Sequence, residues 1–131
     1  MPFEFLLRVY IEDTDLGGIV YYVNYLKFME RARTEFLRAH SIEQHQLQQQ
    51  GYLFVVKTVQ CDYKRSAKLD DQLKVSVDIL KCSAASVFFV QQVHSDQLLC
   101  TAEVEVVCVD ANTMKPRRFP SKIKEIFASD K

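Results

Sequence analysis

The stretch EDTDLGGIVYYVNYLKFMERARTEFLRAH, residues 12–40, decides the fold of this chain. It places three acidic residues and a glycine pair before an aromatic cluster, and a long amphipathic segment follows. Asp and Thr side chains bond to nearby backbone N–H groups, and Gly adopts positive φ. The stretch therefore predicts a tight turn that leads directly into a helix.

The second part of this stretch has the period of a helix with one buried face. Apolar residues recur at steps of three and four. The predicted buried residues are Tyr25, Phe28, Met29, Ala32, Phe36 and Ala39. We expect a helix from about residue 22 to residue 40, with Asn24 as its N-cap. A short second helix is predicted over residues 42–50, ended by Gly51.

The rest of the chain has the pattern of strands. A first strand is predicted over residues 3–10, before the acidic turn, and β-branched and aromatic residues predict another over 52–63. Alternating apolar residues then predict strands around 73–79, at 86–94 and at 98–109. Their connections are short, so these three strands should form an antiparallel meander. A terminal helix is predicted over 121–128, and one long helix against one sheet is an α+β layout.

Composition limits the class of protein. With 131 residues, the chain is long enough for one domain, which we expect to span residues 1–131. Its 17 basic and 17 acidic residues give a net charge of zero, which offers no global attraction to nucleic acid. A single helix cannot cover both edges of a sheet, so we expect a homo-oligomer.

The cysteines and the termini predict a cytoplasmic protein without metal. Four cysteines form no CxxC pair and lie in apolar or alternating runs, which indicates free thiols in a reducing compartment. The three histidines lack zinc-ligand spacing. The N-terminus resembles no signal peptide, and we expect no membrane span.

The acidic turn admits two interpretations. Asp13 and Asp15 lie two residues apart, and aspartates in such turns usually stabilise the turn itself. Alternatively, a carboxylate here lies beside a helix N-terminus, whose free N–H groups suit an oxyanion. We expect an apolar pocket around it, formed by Leu16, Ile19, Val20, Tyr21 and Tyr22, to make the carboxylate more basic.

These motifs resemble a known family. YIEDTDLGGIVYYVNY, residues 10–25, continues as LKFMERARTEFLR, and YKRSAKLDDQLKV and KPRRFP follow later. Together they resemble the hotdog-fold acyl-CoA thioesterases of the 4-hydroxybenzoyl-CoA thioesterase type, and most of all the Tol–Pal-associated YbgC branch. The resemblance covers nearly the whole chain. It implies an antiparallel sheet wrapped around the long helix, and a homo-oligomer, dimer or tetramer, with active sites at the dimer interface.

The resemblance also implies roles for particular residues. The family's catalytic carboxylate falls on Asp15, as general base or as nucleophile. Its oxyanion donor, a backbone N–H at the helix start, falls on Tyr22. Gly17, Gly18 and Ile19 shape the approach to the thioester. No metal or redox cofactor is implied, because coenzyme A is part of the substrate.

Tyr22 departs from the pattern of the YbgC branch, where relatives commonly have His. A backbone N–H role survives this change, since any residue except proline supplies the donor. A side-chain proton transfer does not survive at the same pH, because a phenol titrates near pH 10 and an imidazole near pH 6.5.

Two clusters of basic residues are candidates for contact with coenzyme A phosphates, which need cations at the pocket mouth. The first basic cluster comprises Lys64, Arg65 and Lys68, at a strand end. The second basic cluster comprises Arg117 and Arg118, in a late loop. Solvated loops also carry such charges. We expect the first cluster to bind substrate.

The predicted function is hydrolysis of an acyl-CoA thioester to a free acid and coenzyme A. A scaffold protein that binds acyl-carrier protein or phospholipid-synthesis enzymes, linked to the Tol–Pal system, is the alternative. A hotdog dehydratase requires a catalytic histidine in the site, and none of the three histidines lies near the acidic turn.

Overall fold

The structure is a computed structural model and describes residues 3–129. The elements in chain order are β1 (Phe3–Arg8), α1 (Asn24–Ala39), α2 (Gln44–Gln49), β2 (Tyr52–Tyr63), β3 (Gln72–Cys82), β4 (Ser86–His94), β5 (Leu98–Asp110) and α3 (Ser121–Ser129). Within the described residues, five strands form one sheet in the order β1-β3-β4-β5-β2. The predicted α+β layout is confirmed.

All neighbouring strands of the sheet are antiparallel. Strands β3, β4 and β5 form the predicted meander, because their connections are too short for a crossover. Strand β2 pairs with β5 on one side and forms one edge of the sheet, and β1 forms the other edge. The bounds predicted for β2 and β4 agree with the structure.

Helix α1 buries one face against the sheet, as its period predicts. Its buried residues are Tyr25, Phe28, Met29, Ala32, Phe36 and Leu37. The prediction that Ala39 belongs to this face is wrong, because Ala39 is exposed at the last turn. Beyond it the chain reverses at Ser41, where φ is 64°, and brings Ile42 into the core instead.

Aromatic rings fill the space between α1, the sheet and α3. Phe89 of β4 contacts Phe36 of α1 and Phe127 of α3 edge to face, with ring centroids 6.4 and 5.7 Å apart. Phe119 also packs on Phe127, at 5.2 Å. Such edge-to-face pairs stabilise a core beyond the area they bury. They hold the C-terminal half of α1 on the sheet.

The ends of the helices differ from the predicted ones by one or two residues. Helix α1 begins at Asn24, and Asn24 is not the N-cap. Its side-chain Nδ2 instead donates to the backbone oxygen of Asp13 at 2.9 Å, which ties the helix start to the acidic turn. Helix α2 covers only Gln44–Gln49, since Glu43 is extended. Gly51 follows it with φ of 91°, as expected for a helix-ending glycine.

Candidate active site

The acidic turn is a folded structure held by its own side chains. A short 3₁₀ turn covers Ile11–Asp13, and Asp13 Oδ2 accepts a hydrogen bond from the Tyr10 N–H at 2.9 Å. Asp15 Oδ1 accepts one from the Gly17 N–H, also at 2.9 Å. Both aspartates therefore stabilise the turn. Among the described residues, none donates a hydrogen bond to Asp15 Oδ2, so this oxygen remains available for chemistry.

The chain between the turn and α1 offers free backbone donors. The N–H of Tyr21 bonds to the Asp13 oxygen and that of Asn24 bonds to the Tyr21 oxygen. Within residues 3–129, the N–H groups of Tyr22 and Val23 have no hydrogen-bond partner. Unpaired N–H groups at the positive end of a helix dipole stabilise a negative oxygen. The start of α1 is therefore a candidate oxyanion site.

The loop after β2 is fastened to the same region. The Ala67 N–H donates to the hydroxyl oxygen of Tyr25 at 2.9 Å, and the Val20 N–H donates to the Ala67 oxygen at 2.9 Å. Ile19 forms a bridge with Lys68, and the Leu69 N–H bonds to the Gly18 oxygen. These bonds bring the basic loop beside the acidic turn, although about 50 residues separate them in sequence.

A cavity of about 450 Å³ lies where the turn, the helix start and the loop meet. Five predicted site residues line it together: Asp15, Ile19, Tyr22, Lys64 and Arg65. The structure thus places a carboxylate, free helix-start donors and two cations around one space. Carboxylate, oxyanion donors and phosphate-binding cations are the groups that hydrolysis of a coenzyme A thioester requires.

Three other predicted residues do not line this cavity. Gly17 supplies the N–H that holds Asp15, and Gly18 supplies a φ of 75° that lets the turn close. Lys68 uses its backbone to bridge Ile19, and its N–H is bonded to Asp71 Oδ2 at 2.9 Å. Their contact with substrate stays a prediction. They shape the turn and the loop that carry the lining residues.

The cavity is also lined by aromatic residues that were not among the predicted site residues. Tyr63 contacts Tyr22 and Tyr25, with ring centroids 5.8 and 5.6 Å apart. Burial raises the pKa of the Tyr25 phenol and of the Tyr63 phenol. Tyr25 was assigned to the core by its period alone. Tyr63 carried one signal that could have found it, because it directly precedes the first basic cluster.

The expected apolar pocket around Asp15 is only partly present. Ile19, Val20, Tyr21 and Tyr22 line the cavity, but Leu16 is fully exposed and points away from any packing. Asp15 itself is exposed in the single chain. The reason is that Leu16 lies at the tip of the turn, where no other element of the same chain reaches it. Desolvation of the carboxylate is therefore not provided by one chain.

In the second basic cluster, Arg117 makes structural contacts and Arg118 is exposed. Arg117 Nη1 donates to the Gly51 oxygen at 2.9 Å, and the Arg117 Cζ lies 3.8 Å from the centre of the Tyr52 ring. These contacts fasten the late loop to the end of α2. Arg117 therefore has a structural role through its Nη1 atom and its ring contact.

The structure of residues 3–129 shows no group of three or more His, Cys, Asp or Glu side chains placed to hold a metal ion. None of the helices in this part of the chain combines the length and the apolar character needed to cross a membrane.

Comparison with known proteins agrees with this geometry. A family model described as the thioesterase-like superfamily matches residues 9–127. The acyl-CoA thioesterase YbgC of Haemophilus influenzae is 46% identical over 127 residues, which cover 95% of this chain and 93% of that protein. The acyl-CoA thioester hydrolase YbgC of Escherichia coli O6:H1 is 44% identical over 127 residues and covers 95% of each chain.

A solved structure shows the same fold. The crystal structure of a probable thioesterase from Bartonella henselae superposes with a TM-score of 0.86 at 34% identity, over 92% of this chain and 100% of that one. The chain therefore belongs to the thioesterase-like superfamily. Within it, the sequence is similar to the YbgC proteins over most of its length. The predicted hotdog fold and the predicted class of enzyme, a thioesterase, are confirmed.

Proposed function

We propose that this chain hydrolyses acyl-CoA thioesters to a free carboxylic acid and coenzyme A. One observation carries the proposal: Asp15 and Tyr22, whose N–H at the start of α1 is free, line the same cavity. The names of the YbgC relatives support the same substrate class. The aromatic and aliphatic lining suits an acyl group, since pockets for such ligands are mostly apolar with few polar groups.

The chemistry assigns one task to each part of the site. On one route, the Asp15 carboxylate removes a proton from the water that attacks the carbonyl carbon. On the other, it attacks that carbon itself and forms a mixed anhydride, which water then hydrolyses to the free acid. Coenzyme A leaves as a thiolate on both routes. The Tyr22 N–H donates to the oxygen that becomes negative as the tetrahedral intermediate forms. The Val23 N–H lies next to it as a second donor. Because the donors belong to the backbone, tyrosine at position 22 serves as well as histidine.

The two cations of the first basic cluster that line the cavity are assigned to the coenzyme A phosphates. Lys64 forms an exposed ion pair with Asp62, in which Lys64 Nζ lies 2.9 Å from Asp62 Oδ2. Among the described residues, no acidic side chain forms a salt bridge with Arg65. An arginine without such a partner binds a phosphate with two parallel hydrogen bonds. Arg65 is therefore the main phosphate-binding residue in this proposal.

We further propose that the chain works as a homo-oligomer, a dimer or a tetramer. Strand β2 is an open sheet edge with three exposed apolar side chains, Val56, Val59 and Tyr63, and edge strands are places where chains pair. Leu16 is exposed beside the site. A second copy that covers these residues also removes water from Asp15, which a single chain does not achieve.

Cytoplasmic localisation, a single domain over residues 1–131 and the lack of a cofactor stay predictions. The cysteines support the first of these, because all four are free thiols. The proposed chemistry uses only protein groups and water, so it requires no metal. An interaction with acyl-carrier protein belongs to the alternative scaffold function.

The test is thiol release from a panel of acyl-CoAs of increasing chain length, with wild type beside Asp15→Asn. Asn has nearly the same shape, but it cannot act as a base or as a carboxylate nucleophile. We expect wild type to turn over one class of chain length and the variant to lose at least about 10²-fold in kcat, the usual contribution of a general base.

Asp13→Asn is the matched control, since Asp13 belongs to the same turn and does not line the cavity. It should keep most of the activity. Wild type near background with every thioester, or Asp15→Asn with unchanged rate, would contradict the proposal. Co-purification of phospholipid-synthesis proteins or acyl-carrier protein with an inactive wild type would favour the scaffold function.

A further inference from the structure

Two of the four cysteines lie side by side directly behind the cavity. Cys61 of β2 and Cys100 of β5 have their Sγ atoms 3.1 Å apart. In the register of these strands, Cys61 is opposite Ala102 and Tyr63 is opposite Cys100. Opposite residues share one face of the sheet, so both thiols and Tyr63 point to the same side. This face carries α1.

Tyr63 connects the thiol pair to the site. It lies across the strand pair from Cys100, and its ring contacts Tyr22 and Tyr25 at the cavity wall. Burial raises the pKa of the Tyr63 phenol. A movement of either sulfur therefore displaces a ring that forms part of the candidate active site.

The two thiols differ in their access to solvent. Cys100 is fully buried, whereas Cys61 is partly exposed at the sheet edge. Burial and the contact with Cys61 raise the pKa of the Cys100 thiol, which keeps it protonated. Cys61 is therefore the sulfur that an oxidant meets first, and Cys100 lies behind it as the second thiol.

We propose that Cys61 and Cys100 are a redox modification site, at which a peroxide forms a reversible disulfide that changes the acyl-binding cavity. In the first step the Cys61 thiolate attacks one peroxide oxygen, the O–O bond breaks, and a sulfenic acid and hydroxide form. In the second step the Cys100 sulfur attacks the Cys61 sulfur, an S–S bond forms, and the hydroxyl leaves as water with the Cys100 proton.

The electrons balance in this sequence. The two sulfurs together lose two electrons, and the peroxide gains them and becomes two water molecules. A dithiol reductant reverses the modification by thiol–disulfide exchange.

The disulfide requires a local shift of the strands. The sulfurs must approach by about 1 Å to reach a bond length of about 2.05 Å. Cys61 and Cys100 are diagonal neighbours in the ladder, and diagonal positions lie farther apart than opposite ones. Bond formation therefore draws the end of β2 and the start of β5 together, and Tyr63 moves with them.

The first measurement is the mapping of disulfides in the protein after treatment with hydrogen peroxide. Cleavage at Asp and Glu places each of the four cysteines in a separate peptide. We expect one linked pair of peptides, which contain Cys61 and Cys100, within a single chain on a non-reducing gel. The mass should fall by two hydrogens and should return with dithiothreitol. Cys61→Ser and Cys100→Ala should both abolish the link, and Cys82→Ser should keep it.

The second set of measurements tests whether the disulfide changes the acyl-binding cavity. The near-ultraviolet circular dichroism of the tyrosines should change on oxidation of wild type and not of Cys61→Ser. The hydrolysis of acyl-CoA should fall about tenfold and recover with dithiothreitol, because a shift of ~1 Å near reacting groups costs up to about 10²-fold in rate. Cys61→Ser should keep its rate after peroxide. Only this rate measurement depends on the proposed function.

Other results overturn the proposal. A different linked pair, a link between two chains, or oxidation of Cys61 to sulfinic acid without a disulfide would show that the two thiols do not act together. A correct disulfide with unchanged tyrosine dichroism would show that it does not reach the cavity. If wild type hydrolyses no thioester, the proposed function fails, and the mapping and the dichroism still decide the modification site.

Discussion

The two basic clusters resemble each other in sequence and differ in their surroundings. Arg65 of the first cluster lines the cavity beside Asp15 and forms no salt bridge within the described residues. Arg117 of the second cluster bonds to the Gly51 oxygen and covers the ring of Tyr52. A guanidinium that bonds to the backbone and covers a ring fastens the fold, and one without such contacts beside a cavity can bind an anion. The role of an arginine is therefore set by its tertiary neighbours.

Of the substitutions that compare the two basic clusters, the largest effect is expected for Arg65 of the first cluster. Arg65→Ala should raise the KM for acyl-CoA about tenfold, with little change in kcat, because a hydrogen bond to a charged group contributes about 1.5–3 kcal/mol and this one is exposed. Steady-state kinetics measures the change. With an acyl thioester of N-acetylcysteamine, which lacks the phosphates, the variant should match wild type. An equal rise in KM with both substrates contradicts a phosphate contact.

A smaller effect, on stability, is expected at the second cluster. Arg117→Ala should lower the free energy of unfolding by about 1–2 kcal/mol, through loss of the hydrogen bond to Gly51 and the cation–π contact with Tyr52. Urea unfolding followed by circular dichroism measures it. The KM for acyl-CoA should stay unchanged. Arg118→Ala, at an exposed neighbour, should change stability by less than about 0.5 kcal/mol.

Two results would contradict the different roles of the two clusters. One is a raised KM for both Arg65→Ala and Arg117→Ala, and the other is an unchanged stability of Arg117→Ala. The first result would place the second cluster at the substrate. The second would mean that the contacts of Arg117 contribute nothing measurable.

The smallest effect concerns the loop that carries Arg117. Hydrogen bonds from the N–H groups of Thr113 and Asn112 lower the pKa of Asp110, and Arg117 adds a smaller effect of the same sign. A carboxyl whose pKa is lowered by folding stabilises the protein above its unfolded pKa of about 3.9, and this contribution is lost as pH falls through the folded pKa.

Asp110→Asn should therefore be less stable than wild type near neutral pH, and the two should converge below about pH 4. Thermal unfolding at a series of pH values measures this. Asp96→Asn, in the exposed connection between β4 and β5, is the control. Its stability should stay close to that of wild type at every pH. A constant difference at all pH values would assign the effect to something other than the charge of Asp110.

Most of the fold followed from local patterns. The alternation in β3, β4 and β5 predicted strands and a meander, since period two and short connections leave few other arrangements. The steps of three and four predicted α1. The errors lie at element ends: Asn24 bonds to the acidic turn instead of capping the helix, and Ile42 replaces Ala39 in the core. Such ends depend on partners from elsewhere in the chain.

The lining of the cavity was predicted in part, and the local motif supplied Asp15, Ile19 and Tyr22. Asp15 and Tyr22 lie seven positions apart in one continuous motif. Tyr63 was missed because it meets Tyr22 only through the pairing of β2 with β5 and the bonding of the next loop to Tyr25. Lys68 was included because it is near Arg65 in sequence, and in the structure its backbone forms a bridge with Ile19.

The sequence by itself determined the types and order of the elements, the family and the carboxylate proposed for the chemistry, Asp15, because these rest on periods and motifs within short stretches. Only the tertiary structure decided which basic cluster faces the cavity, that tyrosines form its wall, and that Cys61 meets Cys100. Those contacts join residues about 40 positions apart or more, and the spacing of residues along a chain does not specify how two strands are placed in register.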